Sequence, residues 1–154
     1  MSDDVDHTRT LPVILVSNRQ SSPIDEAGLV SLAAETLRGE GAADTELSVS
    51  FVGDTEMEEL HRRYLDEPGP TDVLSFPQDP AGRGGGTGEG ESVLGDVVIA
   101  PSVAARNNPD DPPAELRLLL VHGILHLLGY DHESDSDRAT MWARQERYSG
   151  VNAS

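Results

Sequence analysis

Three of the chain's five histidines, His122, His126 and His132, carry the spacing in this sequence that best specifies a chemistry. Residues four apart in a helix share one face, one turn from each other. His122 and His126 therefore present two imidazoles to one point if the stretch is helical. Zinc takes imidazole nitrogen at about 2 Å, and a catalytic zinc keeps three protein ligands with a fourth position for water. Gly129 suits the left-handed residue that ends a helix, and a turn there lets His132 swing back to the same ion. Structural zinc sites normally use four protein ligands, often sulfur, so three imidazoles predict a catalytic centre with one Zn2+ per chain. Nickel and copper accept the same ligands.

The spacing His-x-x-x-His-x-x-Gly-x-x-His is also that of the metzincin proteases, whose second motif position is a glutamate general base. Here that position is Gly123. The metal cage is present and the peptidase base is missing, which points to a metal hydrolase of another kind. Two carboxylates are candidates for a general base or for orienting a ligand ring. Asp131 adjoins His132, and its plainer role is a turn acid capping the next helix. Asp96 interrupts an apolar strand, and its plainer role is a bulge residue.

Charge limits the choice of partner. The net charge is −17, and all eleven cations are arginines. A globally acidic chain repels polyphosphate, so nucleic-acid binding would need a local basic site. The adjacent Arg62 and Arg63 are the candidates, because arginine forks match phosphate oxygens. There is no cysteine, hence no disulfide framework and no thiolate metal site. No apolar run is long enough to span a membrane, and the polar, acidic start does not read as a leader. A soluble cytoplasmic protein is expected.

The elements that must position these residues follow from local pattern. Residues 1–10 read as a disordered arm, and 11–150 as one domain. Residues 11–16 form an apolar strand. Ser22 followed by Pro23 predicts the cap of a helix running to Gly39, with Leu29, Val30, Ala33 and Leu37 at helical spacing. Residues 46–52 alternate as a strand. A helix opening at Thr55 carries Met57, Leu60 and Tyr64 as a core stripe, and His61 as a surface residue. Residues 71–77 read as a strand that Pro77 ends or confines to an edge. Residues 79–92 read as a flexible glycine-rich loop, and with no lysine in the chain there is no P-loop. Residues 93–100 form a strand interrupted at Gly95 and Asp96, followed by a short helix from Ser102 to Asn107. Asp110, Asp111, Pro112 and Pro113 open a helix that is apolar nearly all round from Leu116 to Leu128, as a core helix is. Gly123 within it suggests a close backbone approach or space beside the metal. The last helix, opened by Ser134, is expected to bury Met141, Trp142 and Tyr148. The sum is an α/β (α+β) domain, a mixed sheet of about four strands around a central helix that carries the histidines.

At this point the motifs carry a resemblance. The run from His122 to His132 resembles the signature of the YbeY family of bacterial endoribonucleases, the rRNA maturation factors. Pro70 to Pro77 resembles that family's second motif and Leu94 to Ile99 a third, in the same order. The resemblance implies a zincin-like fold, a zinc ion on His122, His126 and His132, and cleavage of single-stranded RNA. It further implies maturation of the small-subunit (16S) rRNA 3′ end, ribosome quality control, and contact with small-subunit ribosomal proteins. Members carry an arginine five residues before the motif proline. Here that position is Leu65, with Arg62 or Arg63 one turn earlier as substitutes. The competing readings are a zinc metallopeptidase with another base and a non-catalytic, metal-stabilised ribosome-assembly factor.

Overall fold

Segments rich in valine, leucine and isoleucine supply a four-stranded mixed sheet, and the helices between them cover both of its faces. The computed structural model describes residues 12–65, 73–77, 92–130 and 134–151. The strands are β1 (Val13–Arg19), β2 (Thr45–Val52), β3 (Val73–Pro77) and β4 (Ser92–Ile99). The helices among the described residues are α1 (Glu26–Gly39), α2 (Asp54–Leu65), α3 (Pro101–Asn107), α4 (Pro112–Leu127) and α5 (Asp135–Ser149). The strand order is β1-β2-β4-β3. β1 and β4 flank β2 in parallel, and β3 runs antiparallel to β4 at the edge. The pairing of β2 with β4 slips between Glu46 and Leu47, so Leu94 is an extra residue at a bulge.

Side-chain alternation divides the core in two. Leu47, Val49, Phe51, Val97 and Ile99 meet α1, α4 and α5 in the larger cluster. Val52, Leu74 and Val98 meet Met57 of α2 and Val103 of α3 on the opposite face. α4 is buried on most of its circumference, through Ala114, Leu116, Leu119, Leu120, Val121, Ile124 and Leu125. Each such leucine or isoleucine contributes about 1.5–3 kcal/mol of burial, which anchors α4 in the core. Asp111 caps it by accepting from the Ala114 N–H, with Pro112 in the first turn.

The expectations for the start of α1 and the buried side of α5 are corrected. The cap of α1 is Asp25, whose carboxylate accepts from the Gly28 N–H at 3.0 Å, and Ser22 stays outside the helix. The Ser22 N–H and carbonyl are both engaged by the side-chain amide of Gln20, and the charged Asp25 carboxylate suits the positive end of a helix better than a hydroxyl. Trp142 is 45% exposed, while Met141, Gln145 and Ser149 form the buried side of α5. Residues 141, 145 and 149 follow the helical repeat, and Trp142 lies about 100° around from it. The guanidinium of Arg138 lies 6.0 Å from its ring instead. The expected arm at 1–10 lies outside the described residues, as do 79–91 of the expected loop; Ser92 opens β4. No helix among the described residues is long and apolar enough to cross a membrane.

Candidate metal centre

Near the C-terminal end of α4, polar side chains meet a cavity. His122 and His126 are half-buried there, with ring centroids 4.5 Å apart and planes at 79°. They share the wall of a cavity of about 420 Å³ with Tyr64 of α2 and with Val73, Leu74, Ser75 and Phe76 of β3. Between the histidines, Gly123 lets the edge of the sheet come close. A Cβ at this position would lie 2.8 Å from Val97 Cγ1 and 3.2 Å from Ser75 Oγ. The close neighbours are thus side chains, and Ser75 Oγ also donates to the Gly123 carbonyl at 3.1 Å. This bond fixes β3 against the helix turn that carries both imidazoles.

His122 is oriented from behind. Its Nδ1 lies 2.5 Å from Oε1 of Gln145, a residue only 3% exposed. An amide oxygen only accepts, so this contact is a hydrogen bond in the tautomer that carries the proton on Nδ1 and leaves Nε2 for a metal.

The exit from α4 is equally constrained. Gly129 adopts φ +106°, a region that other residues rarely enter. Its N–H donates to the His126 carbonyl at 3.1 Å, and that of Tyr130 to the Leu125 carbonyl at 3.0 Å. Tyr130 is then anchored at a distance. Its hydroxyl donates to Glu40 at 2.6 Å, and so does that of Tyr148. Arg144 completes the group at 3.0 Å, and the Glu40 side chain is only 6% exposed. Burial pushes the Glu40 carboxyl up, but the two tyrosine hydrogen bonds and Arg144 outweigh it and hold its pKa below the ordinary 4.5. The Tyr130 phenol is raised, first by its bond to Glu40. That of Tyr148 is raised first by burial. The chain therefore enters residues 131–133 from a pinned residue. His132 and Asp131 themselves lie outside the described residues.

None of the other described candidates lines the histidine cavity. Asp96 is exposed and pairs with Phe76. Its neighbour Val97 faces Gly123 on α4, so alternation turns Asp96 to the other face of the sheet, the one α2 covers. Arg62 and Arg63 are exposed in the last turn of α2, one helix turn or less from Tyr64. Arg63 pairs with Glu59 at 3.4 Å. Among the described residues no third His, Cys, Asp or Glu joins His122 and His126 in a metal-binding group. The two imidazoles, one held through Nδ1 by Gln145, fit a borderline divalent ion such as zinc.

Comparison with known proteins adds the family. The profile described as Endoribonuclease YbeY matches residues 15–150. The chain belongs to this family. A relative from Mycolicibacterium gilvum named Endoribonuclease YbeY is 42% identical over 139 residues, covering 86% of this chain and 78% of its own. One of the same name from Acidothermus cellulolyticus is 45% identical over 139 residues, covering 84% and 85%. A solution structure of a Thermotoga maritima protein superposes with a TM-score of 0.58 at 27% identity, covering 89% of this chain and 87% of that one.

Three residues at or around the site do not follow from the sequence reading. Gln145 has a signal, since it stands one turn after Met141 on the buried side of α5, where a polar residue needs a partner. Tyr64 belongs by spacing to a core stripe, yet it is 56% exposed at the cavity rim. Glu40 has no local signal, because its partners lie 90 to 108 residues away.

Proposed function

We propose that the chain is a zinc-dependent endoribonuclease that cleaves single-stranded RNA, with His122, His126 and His132 holding the ion. Its substrate on this reading is the 3′ end of small-subunit rRNA, and its roles are rRNA maturation and ribosome quality control in the cytoplasm. Family membership supports the endonucleolytic hydrolysis of RNA. The observation that carries the site is the pair of imidazoles on α4, one turn apart on the wall of an open cavity. When bound, zinc supplies Lewis acidity at a phosphodiester and eases deprotonation of an attacking oxygen.

The chain's own residues divide the remaining work. Gln145 holds the His122 ring and its proton. Ser75 and Val97 fix the turn between the histidines. Tyr130, tied to Glu40, delivers the chain to His132. Of the two carboxylates, Asp131 is kept as the candidate base because it adjoins His132. Asp96 is set aside because it does not line the cavity. Arg62 and Arg63, beside Tyr64 at the end of α2, are the candidate phosphate contacts, Arg63 by exchanging its exposed partner Glu59.

The test compares cleavage of a defined single-stranded RNA by metal-loaded and chelated protein, with the metal content measured in parallel. Chelation should abolish cleavage. His126→Ala should lose both the ion and cleavage while its melting transition is kept. Cleavage that survives chelation would overturn zinc dependence, and collapse of the His126→Ala fold would assign the ion a structural role. Hydrolysis of a peptide library in place of RNA would return the site to the peptidases.

A further inference from the structure

An acidic protein that cuts RNA must hold its substrate by something other than a broad positive surface. The chain carries 28 acidic residues against 11 arginines. Several of those arginines are already engaged by acids: Arg19 by Glu56 at 2.6 Å, Arg63 by Glu59 at 3.4 Å, Arg106 by Asp54 at 3.0 Å and Arg144 by Glu40 at 3.0 Å. Affinity built on phosphate contacts scales with the cations available to neutralise them, and the acid beside each of these arginines weakens that contact.

The cavity rim offers another means. On α2, Met57 is fully buried, whereas Tyr64, two turns later, is 56% exposed. Its ring leans edge-on against Phe76 of β3, with centroids 5.2 Å apart and planes at 65°. Phe76 is itself half-buried against the α2 side of the sheet. An edge-to-face contact steadies a ring while leaving much of its surface open. Tyr64 and Phe76 line the same 420 Å³ cavity as His122 and His126. Arg63 also lies over this ring, its guanidinium carbon 5.9 Å from the Tyr64 centroid. An aromatic side chain steadied by such neighbours, still largely open to solvent and next to a hydrolytic centre, is the arrangement single-strand binders use to stack bases. Every base has a π-face, so such contacts tolerate sequence and need no net positive charge.

We propose that Tyr64 is a base-stacking platform, holding one unpaired nucleobase of the RNA at the rim of the histidine cavity. Stacking there places the strand across β3, with the adjoining phosphate directed at the imidazoles. It also selects for unpaired RNA, because a base must leave its duplex stack to reach the ring. This inference rests on RNA being the substrate, and its test separates the two.

Affinities of the native chain, Tyr64→Leu and Tyr64→Trp are measured for a short single-stranded RNA, with chelator present to prevent cleavage. An abasic site is walked along the oligonucleotide. Tyr64→Leu should weaken binding by about 5-fold or more, the lower end of what loss of one stacked base costs. Tyr64→Trp should restore it. The salt dependence should be unchanged, because no phosphate contact is removed. One abasic position should weaken the native chain and have no further effect on Tyr64→Leu. If the native chain binds RNA and Tyr64→Leu binds it equally well, stacking is overturned and the RNA reading stands. Stacking is likewise overturned if each abasic position costs both proteins the same. If the native chain binds no RNA, both fall.

Discussion

Adjacent residues of the last helix serve two polar clusters of opposite construction. Arg144 reaches Glu40, where two tyrosine hydroxyls and a guanidinium surround one carboxylate and take up both its oxygens. Gln145 reaches His122, where the protein fixes a single ring nitrogen and the imidazole pair borders a cavity. The first cluster is closed, with donors and acceptor matched inside the protein. The second holds the orientation of its groups and presents them to a space large enough for a substrate. Buried polar groups of either kind are expensive unless partnered. Partnering therefore cannot tell a site from a strut; what distinguishes them is whether the cluster borders an empty volume.

The comparison can be broken most forcefully at Glu40. Glu40→Ala strands the hydroxyls of Tyr130 and Tyr148, and should lower stability by roughly 2–4 kcal/mol in a denaturant titration. Zinc stoichiometry of the folded fraction should persist. If the ion were lost with stability intact, Glu40 would belong to the centre and the contrast would fail. Next in size is Gln145→Leu, which should weaken zinc binding by about 10- to 100-fold while the fold survives. Gln145→Glu, which keeps an acceptor at His122 Nδ1, should recover most of the affinity. Equal affinity in the leucine variant would reduce Gln145 to a packing residue.

The smallest effect sharpens the comparison through pH. The Glu40 pKa is lowered in the folded chain. Its stabilisation is therefore present above the ordinary carboxylate range and is lost as pH falls through the lowered value. Glu40→Gln should cost on the order of 1 kcal/mol near neutrality, as charge-assisted bonds become neutral ones. It should also flatten the acid limb of the stability curve. An acid limb identical to that of the native chain would place the titrating group elsewhere.

How much the sequence discloses depends on how local each cause is. α4 is legible because its start is written in Asp111 and Pro112, its end in Gly129, and its burial in an unbroken apolar run. The edge position of β3 follows from Pro77, and the irregularity of β4 from Gly95 and Asp96. The start of α1 is easily misplaced because Ser22 and Asp25 are both competent caps, and the Gln20 side chain holds the Ser22 backbone in the preceding turn. Trp142 misleads because size alone suggests burial, whereas the helical repeat from Met141 selects Gln145. The histidine pair needs only the period of a helix. Gln145 and Glu40 need knowledge of which helices meet, and that is a property of the tertiary fold.

The helix bearing His122 and His126 is gripped by hydrophobic neighbours along nearly its whole length. The separation of the two rings is thus inherited from the core and owes nothing to an occupant. Withdrawal of an ion from these two rings would therefore leave the helix that carries them folded.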